Sequence, residues 1–412
     1  MKVQSGKPPI NLHSSFMKNS IRSASYLLLF VFILTGCKKD PVQPPSTNFV
    51  SATSIGTFSK TDLQAFAAKT GFGNFAPLAK YDVEFFKLIY KTSFKGKDIQ
   101  VSGLLCVPKN VPVTPSLLSA QHGTMFKFAD APSNFPNTFT GFELAASAGF
   151  VTLIPDFIGY GVSQNITHPY FDQKSSGLTV VDMIKATKYY LQQQNIPVTS
   201  RLFLDGYSEG GFVTMAAQKE IETNTSHNLT VTAAAEGAGA YDLTVMVSLI
   251  ASSPTYATPS LIALLVKGYN STYDWNRPYS DFFREPYASK IPALLNGSKS
   301  RTEVDAELTT STVALLNPAF YAALLDPTKE LAFKQKIVSN SFNDWVPKSP
   351  TRLYHGTADQ TVFIQTSLAT YARFQAAGAT NVAFFPVPGG THETTIEPMM
   401  LNALQWIVSL DK

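Results

Sequence analysis

Short apolar runs separated by longer helix-competent stretches dominate the first half of this 412-residue chain. Two of these runs, 81–90 and 98–108, meet through a turn at Gly96, which predicts an antiparallel pair of strands. Four further runs end in polar or glycine-containing turns, near 116–121, 150–155, 201–205 and 230–235. A helical pattern over 178–194 separates two of them, and parallel strands need crossover connections of this kind. The pattern therefore predicts an α/β fold with a mostly parallel sheet.

This alternation stops between Tyr241 and Pro350. The interval has no convincing strand, but it has apolar, helix-like segments at 243–251, 260–268, 302–316 and 318–325. Its place between the sixth and seventh predicted strands indicates a helical cap, residues 242–349, which would exclude water from a site beneath it. Its aromatic residues either pack the cap onto the core, the commoner role, or line a groove that accepts lipid; they are Tyr269, Tyr273, Trp275, Phe282, Phe283, Phe320 and Tyr321.

After the cap the alternation resumes, with strands at 351–356 and 382–387 and helices at 365–377 and 397–410. The complete prediction is a mostly parallel, eight-stranded sheet flanked by helices. Its first part occupies residues 51–241 and its second part residues 350–412.

The amino terminus has the pattern of an export signal. Lys18 and Arg22 precede an apolar run at 26–34, which is too short for a permanent membrane span but suits a signal peptide. Met17 alone begins a complete signal, so translation from Met17 is an alternative to translation from Met1.

The signal ends at Leu34-Thr35-Gly36-Cys37, which resembles a bacterial lipobox, whose cysteine is diacylated and becomes the new first residue. We therefore expect residues 1–37 to be a lipoprotein signal, with lipidation at Cys37 and a lipid anchor to a membrane of the bacterial cell envelope. A buried cysteine after an ordinary signal is the alternative. The polar, proline-rich stretch 38–50 is predicted to tether the lipid to the folded body.

Charge and cysteine content exclude two classes of function. The chain has 33 basic and 29 acidic residues, and the whole excess of four lies in the first 37 residues. The balanced remainder gives no electrostatic case for binding nucleic acid. After Cys37 only Cys106 remains, in an apolar run typical of a core, so no intrachain disulfide is expected in the mature chain.

One motif carries most of the chemical information. A short apolar strand at 202–204 leads into Gly206-Tyr207-Ser208-Glu209-Gly210, and a helix-competent run follows at 212–220. A G-x-S-x-G sequence between a strand and a helix is typical of a nucleophile elbow, a tight turn that exposes the serine hydroxyl. Small residues two before and two after the serine let the strand and the helix approach closely. Ser208 is therefore the candidate nucleophile.

A serine hydroxyl is a poor nucleophile until a base accepts its proton and a carboxylate orients that base. Both partners follow Ser208 at strand ends, in the chain order Ser, Asp, His. Asp359 lies in the loop after strand 351–356, and His392 lies in the glycine-rich loop after strand 382–387. Taken alone, Asp359 would be an ordinary turn residue and His392 a surface histidine. Their joint occurrence after Ser208 predicts that Asp359 is the orienting carboxylate and His392 the general base.

Two backbone N–H groups are expected to hold the oxyanion. One belongs to Glu209, and the other to the loop after strand 116–121, which begins His122-Gly123-Thr124. Thr124 is the predicted second donor, and Gly123 is the alternative. The acidic side chain of Glu209 has a simpler role as well, because an acid in the first turn of a helix favours its dipole.

Three other histidines are assigned structural roles. His122 and His355 each precede a glycine at a strand end, where an imidazole usually satisfies local backbone groups. His168 precedes Pro169 in a loop; it could line a cleft, but a structural role is the commoner one.

Taken together, the chain resembles the α/β-hydrolases, and among them the secreted lipases and esterases with a helical cap. The resemblance spans residues 80–412 and rests on five segments: Gln121 to Thr124, Pro155 to Gly161, Gly206 to Gly211, His355-Gly356 with Asp359, and Gly390 to His392. It implies hydrolysis of carboxylic esters through an acyl-enzyme, on a small-molecule or lipid ester, with no metal and no organic cofactor.

Two other functions stay open. A serine peptidase of the same fold, of the aminopeptidase or prolyl-oligopeptidase type, would use the same three residues. The prolyl-oligopeptidase type needs a propeller, and the roughly 40 residues between the tether and the first predicted strand leave no room for one. The aminopeptidase type needs an acidic pocket for the substrate amine, for which Glu209 and Glu236 are the candidates. The third function is a surface-binding lipoprotein that has lost catalysis. The oligomeric state is not indicated.

Overall fold

The computed structural model describes residues 48–412. The predicted signal and Cys37 lie outside the described residues. The strands, numbered in chain order, are β1 Phe49–Phe58, β2 Val83–Phe94, β3 Lys97–Pro108, β4 Leu117–Gln121, β5 Val151–Pro155, β6 Leu202–Tyr207, β7 Ala233–Gly237, β8 Thr351–Gly356 and β9 Val382–Val387.

All nine strands belong to one sheet, in the order β1-β2-β3-β5-β4-β6-β7-β8-β9. The three pairings from β1 to β5 are antiparallel, and the pairings from β5 to β9 are parallel. The predicted α/β fold with a mostly parallel sheet is confirmed. Because β4 to β9 run in one direction, the loops after β6, β8 and β9 leave the same edge of the sheet.

Within residues 48–412 the sheet has nine strands, not the predicted eight. The additional strand is β1, which pairs antiparallel with β2 at the edge and begins at Phe49, inside the stretch predicted to be tether. Its serine, threonine and glycine content hides the strand pattern, and none of its residues is fully buried. Register shifts between Phe49 and Ser51, and between Ser54 and Gly56, interrupt its alternation further.

Thirteen α-helices accompany the sheet in residues 48–412. They are α1 Lys60–Thr70, α2 Glu143–Ser147, α3 Gln173–Gln193, α4 Glu209–Thr223, α5 Leu243–Ser252, α6 Pro259–Thr272, α7 Tyr287–Leu294, α8 Arg301–Ala306, α9 Thr312–Leu315, α10 Pro318–Leu325, α11 Leu331–Ser339, α12 Gln365–Ala376 and α13 Ile396–Leu410. Helices α5 to α11 all lie between β7 and β8, which are the sixth and seventh of the strands predicted from the sequence.

Two apolar clusters bury the two faces of the sheet. Successive residues of β6 alternate between them, since Leu202 and Leu204 join the cluster that contains α3 and α4, whereas Phe203 joins the cluster that contains α2 and α13. The aromatic residues of α5 to α11 extend the first cluster: Tyr269, Phe282, Phe283 and Phe320 are buried in it, and Tyr273, Trp275 and Tyr321 pack against it. These side chains pack the helical segment between β7 and β8 against the core.

Among residues 48–412, no helix combines the length and the apolar character that crossing a membrane requires.

Candidate active site

Ser208 lies in a strained turn between β6 and α4. Its backbone has φ +61° and ψ −124°, a conformation that a residue with a side chain rarely adopts. The Ser208 N–H donates to the carbonyl oxygen of Gly237 at 2.8 Å, and the Ser208 carbonyl accepts from the N–H of Phe212 at 3.2 Å. These bonds to the neighbouring strand and to the first turn of α4 hold the strained conformation in place.

Two glycines make the turn possible. A Cβ atom at Gly210 would collide with the carbonyl oxygens of Gln121 and His122, which close strand β4 and begin the loop after it. A Cβ atom at Gly206 would collide with the Gly210 carbonyl and the Thr214 hydroxyl. Both collisions involve backbone atoms that cannot move aside, so the G-x-S-x-G spacing is a packing requirement here.

The structure brings Ser208, His392 and Asp359 together in one hydrogen-bonded chain. The Ser208 Oγ lies 2.8 Å from His392 Nε2, and His392 Nδ1 lies 2.6 Å from Asp359 Oδ2. The three residues come from the loops after β6, β8 and β9, which leave the sheet at the same edge. Asp359 and His392 are both buried, so water competes little for these bonds.

Asp359 is surrounded by hydrogen-bond donors. Its Oδ1 accepts the backbone N–H groups of Thr361 and Val362 at 2.8 and 2.9 Å. Burial of Asp359 opposes ionisation, but hydrogen bonds from His355 and His392 outweigh burial and hold the pKa of the Asp359 carboxyl well below its usual range. The Asp359 side chain is therefore an ionised carboxylate at neutral pH.

His355 contacts Asp359, which the sequence did not indicate. Its Nε2 lies 2.8 Å from the Val362 carbonyl oxygen and 3.3 Å from Asp359 Oδ2, and its Nδ1 lies 2.7 Å from the Ser367 hydroxyl. Because a carbonyl oxygen only accepts, Nε2 carries the proton, and that N–H points at both oxygens. His355 thus satisfies local backbone, as expected, and also orients the carboxylate.

The loop after β4 lies against Ser208. A Cβ atom at Gly123 would stand 3.6 Å from the Ser208 Cβ, so the backbone of this loop passes directly beside the elbow. The Thr124 hydroxyl bonds to the Tyr170 hydroxyl at 3.0 Å, and His122 Nδ1 donates to the Gly123 carbonyl at 2.7 Å. Burial lowers the pKa of His122, which keeps its ring neutral. Glu209, the other predicted donor, is the first residue of α4.

The two glutamates considered for an acidic pocket do not line the cleft above Ser208. Glu209 is only 2% exposed, and its Oε1 lies 2.7 Å from Nε2 of His168. Glu236 is fully buried in β7, and neither of its carboxyl oxygens has a hydrogen-bond partner among the described residues. Burial raises the pKa of the Glu236 carboxyl well above its usual value, so a neutral acid group lies there.

A cleft of about 380 Å³ opens above Ser208 and His392. Helices α6 and α8 of the segment between β7 and β8 contribute Leu261 and Arg301 to its wall. The acidic residues that line it are Asp130 and Glu393. Each pairs with a cation, Asp130 with Lys127 at 3.3 Å and Glu393 with Arg301 at 3.0 Å.

A second, apolar cavity of about 60 Å³ lies beside the cleft. Leu261 lines both spaces, and Tyr170, which bonds to Thr124, lines the cavity. The remaining wall is almost wholly hydrocarbon, contributed by α5, α6, α10 and α11, among others by Met246, Val247, Ile250, Ile262, Leu265, Leu324 and Phe333. The site thus has an open cleft that contains Ser208 and His392, and an apolar recess lies next to it.

Solved structures share the fold along most of the chain. A protein from Legionella pneumophila superposes with a TM-score of 0.82 at 23% identity, over 88% of this chain and 98% of that one. The rice cell wall degrading esterase LipA from Xanthomonas oryzae superposes with a TM-score of 0.76 at 24% identity, over 89% and 98%. Candida antarctica lipase A in its closed state gives a TM-score of 0.63 at 18% identity, over 88% and 81%. At these identities the likeness establishes the fold.

The sequence itself identifies the family. No curated protein matches the chain. The sequence profile of the secretory lipase family, however, matches residues 142–410, which include Ser208, the helices between β7 and β8, Asp359 and His392. The predicted resemblance to α/β-hydrolase lipases and esterases is confirmed. The chain belongs to the secretory lipase family and is a hydrolase of ester bonds with the α/β-hydrolase fold.

Proposed function

We propose that the protein hydrolyses carboxylic esters through an acyl-enzyme on Ser208, with His392 as general base and Asp359 as its orienting carboxylate. The hydrogen-bonded chain from Ser208 through His392 to Asp359 carries this proposal. It ends on a serine in the strained conformation of a nucleophile elbow, at the floor of an open cleft.

The hydrogen-bond partners fix the proton positions that the mechanism needs. The Asp359 carboxylate only accepts, so the bond at 2.6 Å requires a proton on His392 Nδ1. His392 Nε2 then presents its lone pair to the Ser208 hydroxyl at 2.8 Å. In this tautomer His392 is ready to take the serine proton, which is the role of a general base.

The reaction follows in two halves. The Ser208 Oγ attacks the ester carbonyl while its proton passes to His392 Nε2, and the backbone N–H groups of Glu209 and Thr124 hold the oxyanion. His392 then gives that proton to the leaving alcohol, which breaks the ester bond and leaves the acyl group on Ser208. A water molecule, deprotonated by His392, attacks the acyl-enzyme, and the serine leaves with the proton as the acid is released.

The surroundings of the cleft favour esters over amino-terminal peptides. An aminopeptidase needs a carboxylate free to bind the substrate ammonium group, and both acids that line the cleft are paired with a cation of this chain. The apolar cavity beside the cleft suits a hydrocarbon acyl group. We therefore propose that the acyl chain of a small-molecule or lipid ester points toward Leu261 and the cavity behind it.

The experiment is hydrolysis of p-nitrophenyl esters from acetyl to palmitoyl, run beside aminoacyl p-nitroanilides. Ser208→Ala is expected to leave a folded protein with no ester turnover above background. Ser409→Ala, at an exposed serine of α13, is the matched control and is expected to keep full activity. Retained ester turnover in Ser208→Ala would refute the proposal, and rapid anilide cleavage with feeble ester turnover would make the protein a peptidase.

We also propose that the exported protein is held on a membrane of the bacterial envelope by lipid on Cys37. The support for this proposal is the lipobox-like sequence, because residues 1–47 lie outside the described structure. Metabolic labelling with a palmitate analogue should mark the wild type and the Lys38→Ala control but not Cys37→Ala. Equal labelling of Cys37→Ala, or none in the wild type, would refute the anchor.

A further inference from the structure

The residue that follows the nucleophile carries a buried carboxyl group. Glu209 is 2% exposed, and its Oε1 lies 2.7 Å from Nε2 of His168, which belongs to the loop between β5 and α3. The other ring nitrogen of His168, Nδ1, lies 2.7 Å from the carbonyl oxygen of Ile158. Both nitrogens of the ring are therefore engaged, one with the backbone and one with Glu209.

These two contacts fix the charge of the pair. A carbonyl oxygen only accepts, so Nδ1 of His168 carries a proton. The contact between Nε2 and Oε1 needs one further proton, which either atom can hold. The pair is then an imidazolium beside a carboxylate, or an imidazole beside a carboxylic acid. Its net charge is zero in both forms.

Apart from the partial positive charge at the N-terminus of α4, on which Glu209 lies, the tyrosines that face the His168 ring and the nearby His122 supply no compensating positive charge. Tyr160 and Tyr170 face the His168 ring at 5.1 and 5.9 Å between centroids, and burial raises the pKa of both phenols well above the usual value. His122 is kept neutral because burial lowers its pKa. Asp156, the nearby acid, is already bound by the hydroxyl of Ser102 and the N–H of Ser133.

We infer that His168 is a positioning residue for the ester-cleaving reaction: it cancels the negative charge of the Glu209 side chain and fixes that side chain next to the residue whose N–H binds the oxyanion. This inference rests on the proposed function, in which the Glu209 backbone N–H binds the oxyanion. Without the His168 proton, the same residue would present a negative charge to the negative charge that develops in the transition state. A unit charge within about 10 Å changes the rate by roughly tenfold or more at an effective dielectric constant of about 20.

The experiment is a charge-rescue cycle of His168→Gln, Glu209→Gln and the double variant, read as kcat and KM for a p-nitrophenyl ester. His168→Gln leaves Glu209 without its proton partner, and we predict a loss in kcat of roughly tenfold or more with KM changed by less than about threefold. Glu209→Gln removes the charge and costs less. In the double variant kcat returns to within about threefold of Glu209→Gln, because His168 matters only through that charge.

The chain offers a matched control on the same helix. Glu220, eleven residues further along α4, pairs through Oε1 with His227 Nε2 at 2.6 Å. Eleven residues of helix separate the two pairs by roughly 16 Å. Glu220→Gln and His227→Gln are therefore expected to leave kcat unchanged.

Three results would overturn the inference. Full activity in His168→Gln would show that the pair does not affect the oxyanion. Equal losses of kcat from His168→Gln in the wild-type and Glu209→Gln backgrounds would show that His168 has a packing role alone. If the His168→Gln single variant folds poorly, the double variant still tests the inference, because it keeps two neutral hydrogen-bonding side chains at these positions. A loss in Glu209→Gln as large as that in His168→Gln would show that the carboxylate itself is needed. Each differs from failure of the proposed function, which is an active Ser208→Ala.

Discussion

Replacing Asp359 by asparagine tests the proton positions at the site. The new amide side chain would keep one acceptor for the N–H groups of Thr361 and Val362, and that requirement turns its NH₂ group toward His392 Nδ1. Two donors would then face each other. The His392 ring avoids this repulsion if its proton moves from Nδ1 to Nε2, and Nε2 can then no longer accept the proton of Ser208.

We predict that Asp359→Asn lowers kcat by about 10⁴-fold, or about 5.4 kcal/mol of transition-state stabilisation, as loss of the correct tautomer does in a serine–histidine–aspartate site. KM should change little, because Asp359 does not line the cleft. The assay is steady-state hydrolysis of a p-nitrophenyl ester, with thermal unfolding to verify folding and Asp344→Asn, at a largely exposed aspartate, as control. A loss below tenfold in a folded variant would mean that a different acid orients His392.

Three further predictions concern packing, specificity and pH. Gly210→Ala forces a Cβ into the carbonyl of Gln121 and should destabilise the protein by roughly 3 kcal/mol or more in urea unfolding, whereas Gly73→Ala should change stability by less than about 1 kcal/mol. Equal effects of the two would contradict the packing argument. Leu261→Ala should join the cleft to the apolar cavity and raise kcat/KM for lauroyl relative to butyryl esters by up to roughly tenfold, while exposed Val338→Ala does not. An unchanged chain-length profile would exclude the cavity from acyl binding. Above the unfolded-state pKa of about 4.3, Glu236 must bind a proton when the chain folds, so its contribution to stability falls as the pH rises toward its raised folded-state pKa. In that pH window the unfolding free energy of Glu236→Gln should rise relative to that of the wild type by up to about 1.4 kcal/mol per pH unit. A difference in unfolding free energy that stays constant between pH 5 and pH 8 would contradict a buried neutral carboxyl.

The sequence was sufficient to predict those features of the structure that depend on residues close together in the chain. The elbow around Ser208 could be predicted because the collisions at Gly206 and Gly210 allow only glycine, and their spacing is visible in five residues. Asp359 and His392 could be proposed because the loops that follow neighbouring parallel strands leave the sheet at the same edge. Those loops meet in the structure, and the catalytic roles stay predictions.

Contacts between distant loops could not be predicted in the same way. His168 and Glu209 are 41 residues apart and no periodic pattern connects them, so their bond depends on how the loop after β5 folds over α4. His355 gave a signal only for its backbone role, since its approach to Asp359 depends on the turn between them. Strand β1 was missed for another reason: an edge strand with little burial needs no apolar alternation.

The most direct test of the central claim is to map the adduct of a fluorophosphonate by mass spectrometry of the intact protein and of its peptides. We predict one adduct per chain, on the peptide that contains Ser208, and none in Ser208→Ala. Labelling of another residue, or equal labelling of Ser208→Ala, would contradict Ser208 as the nucleophile.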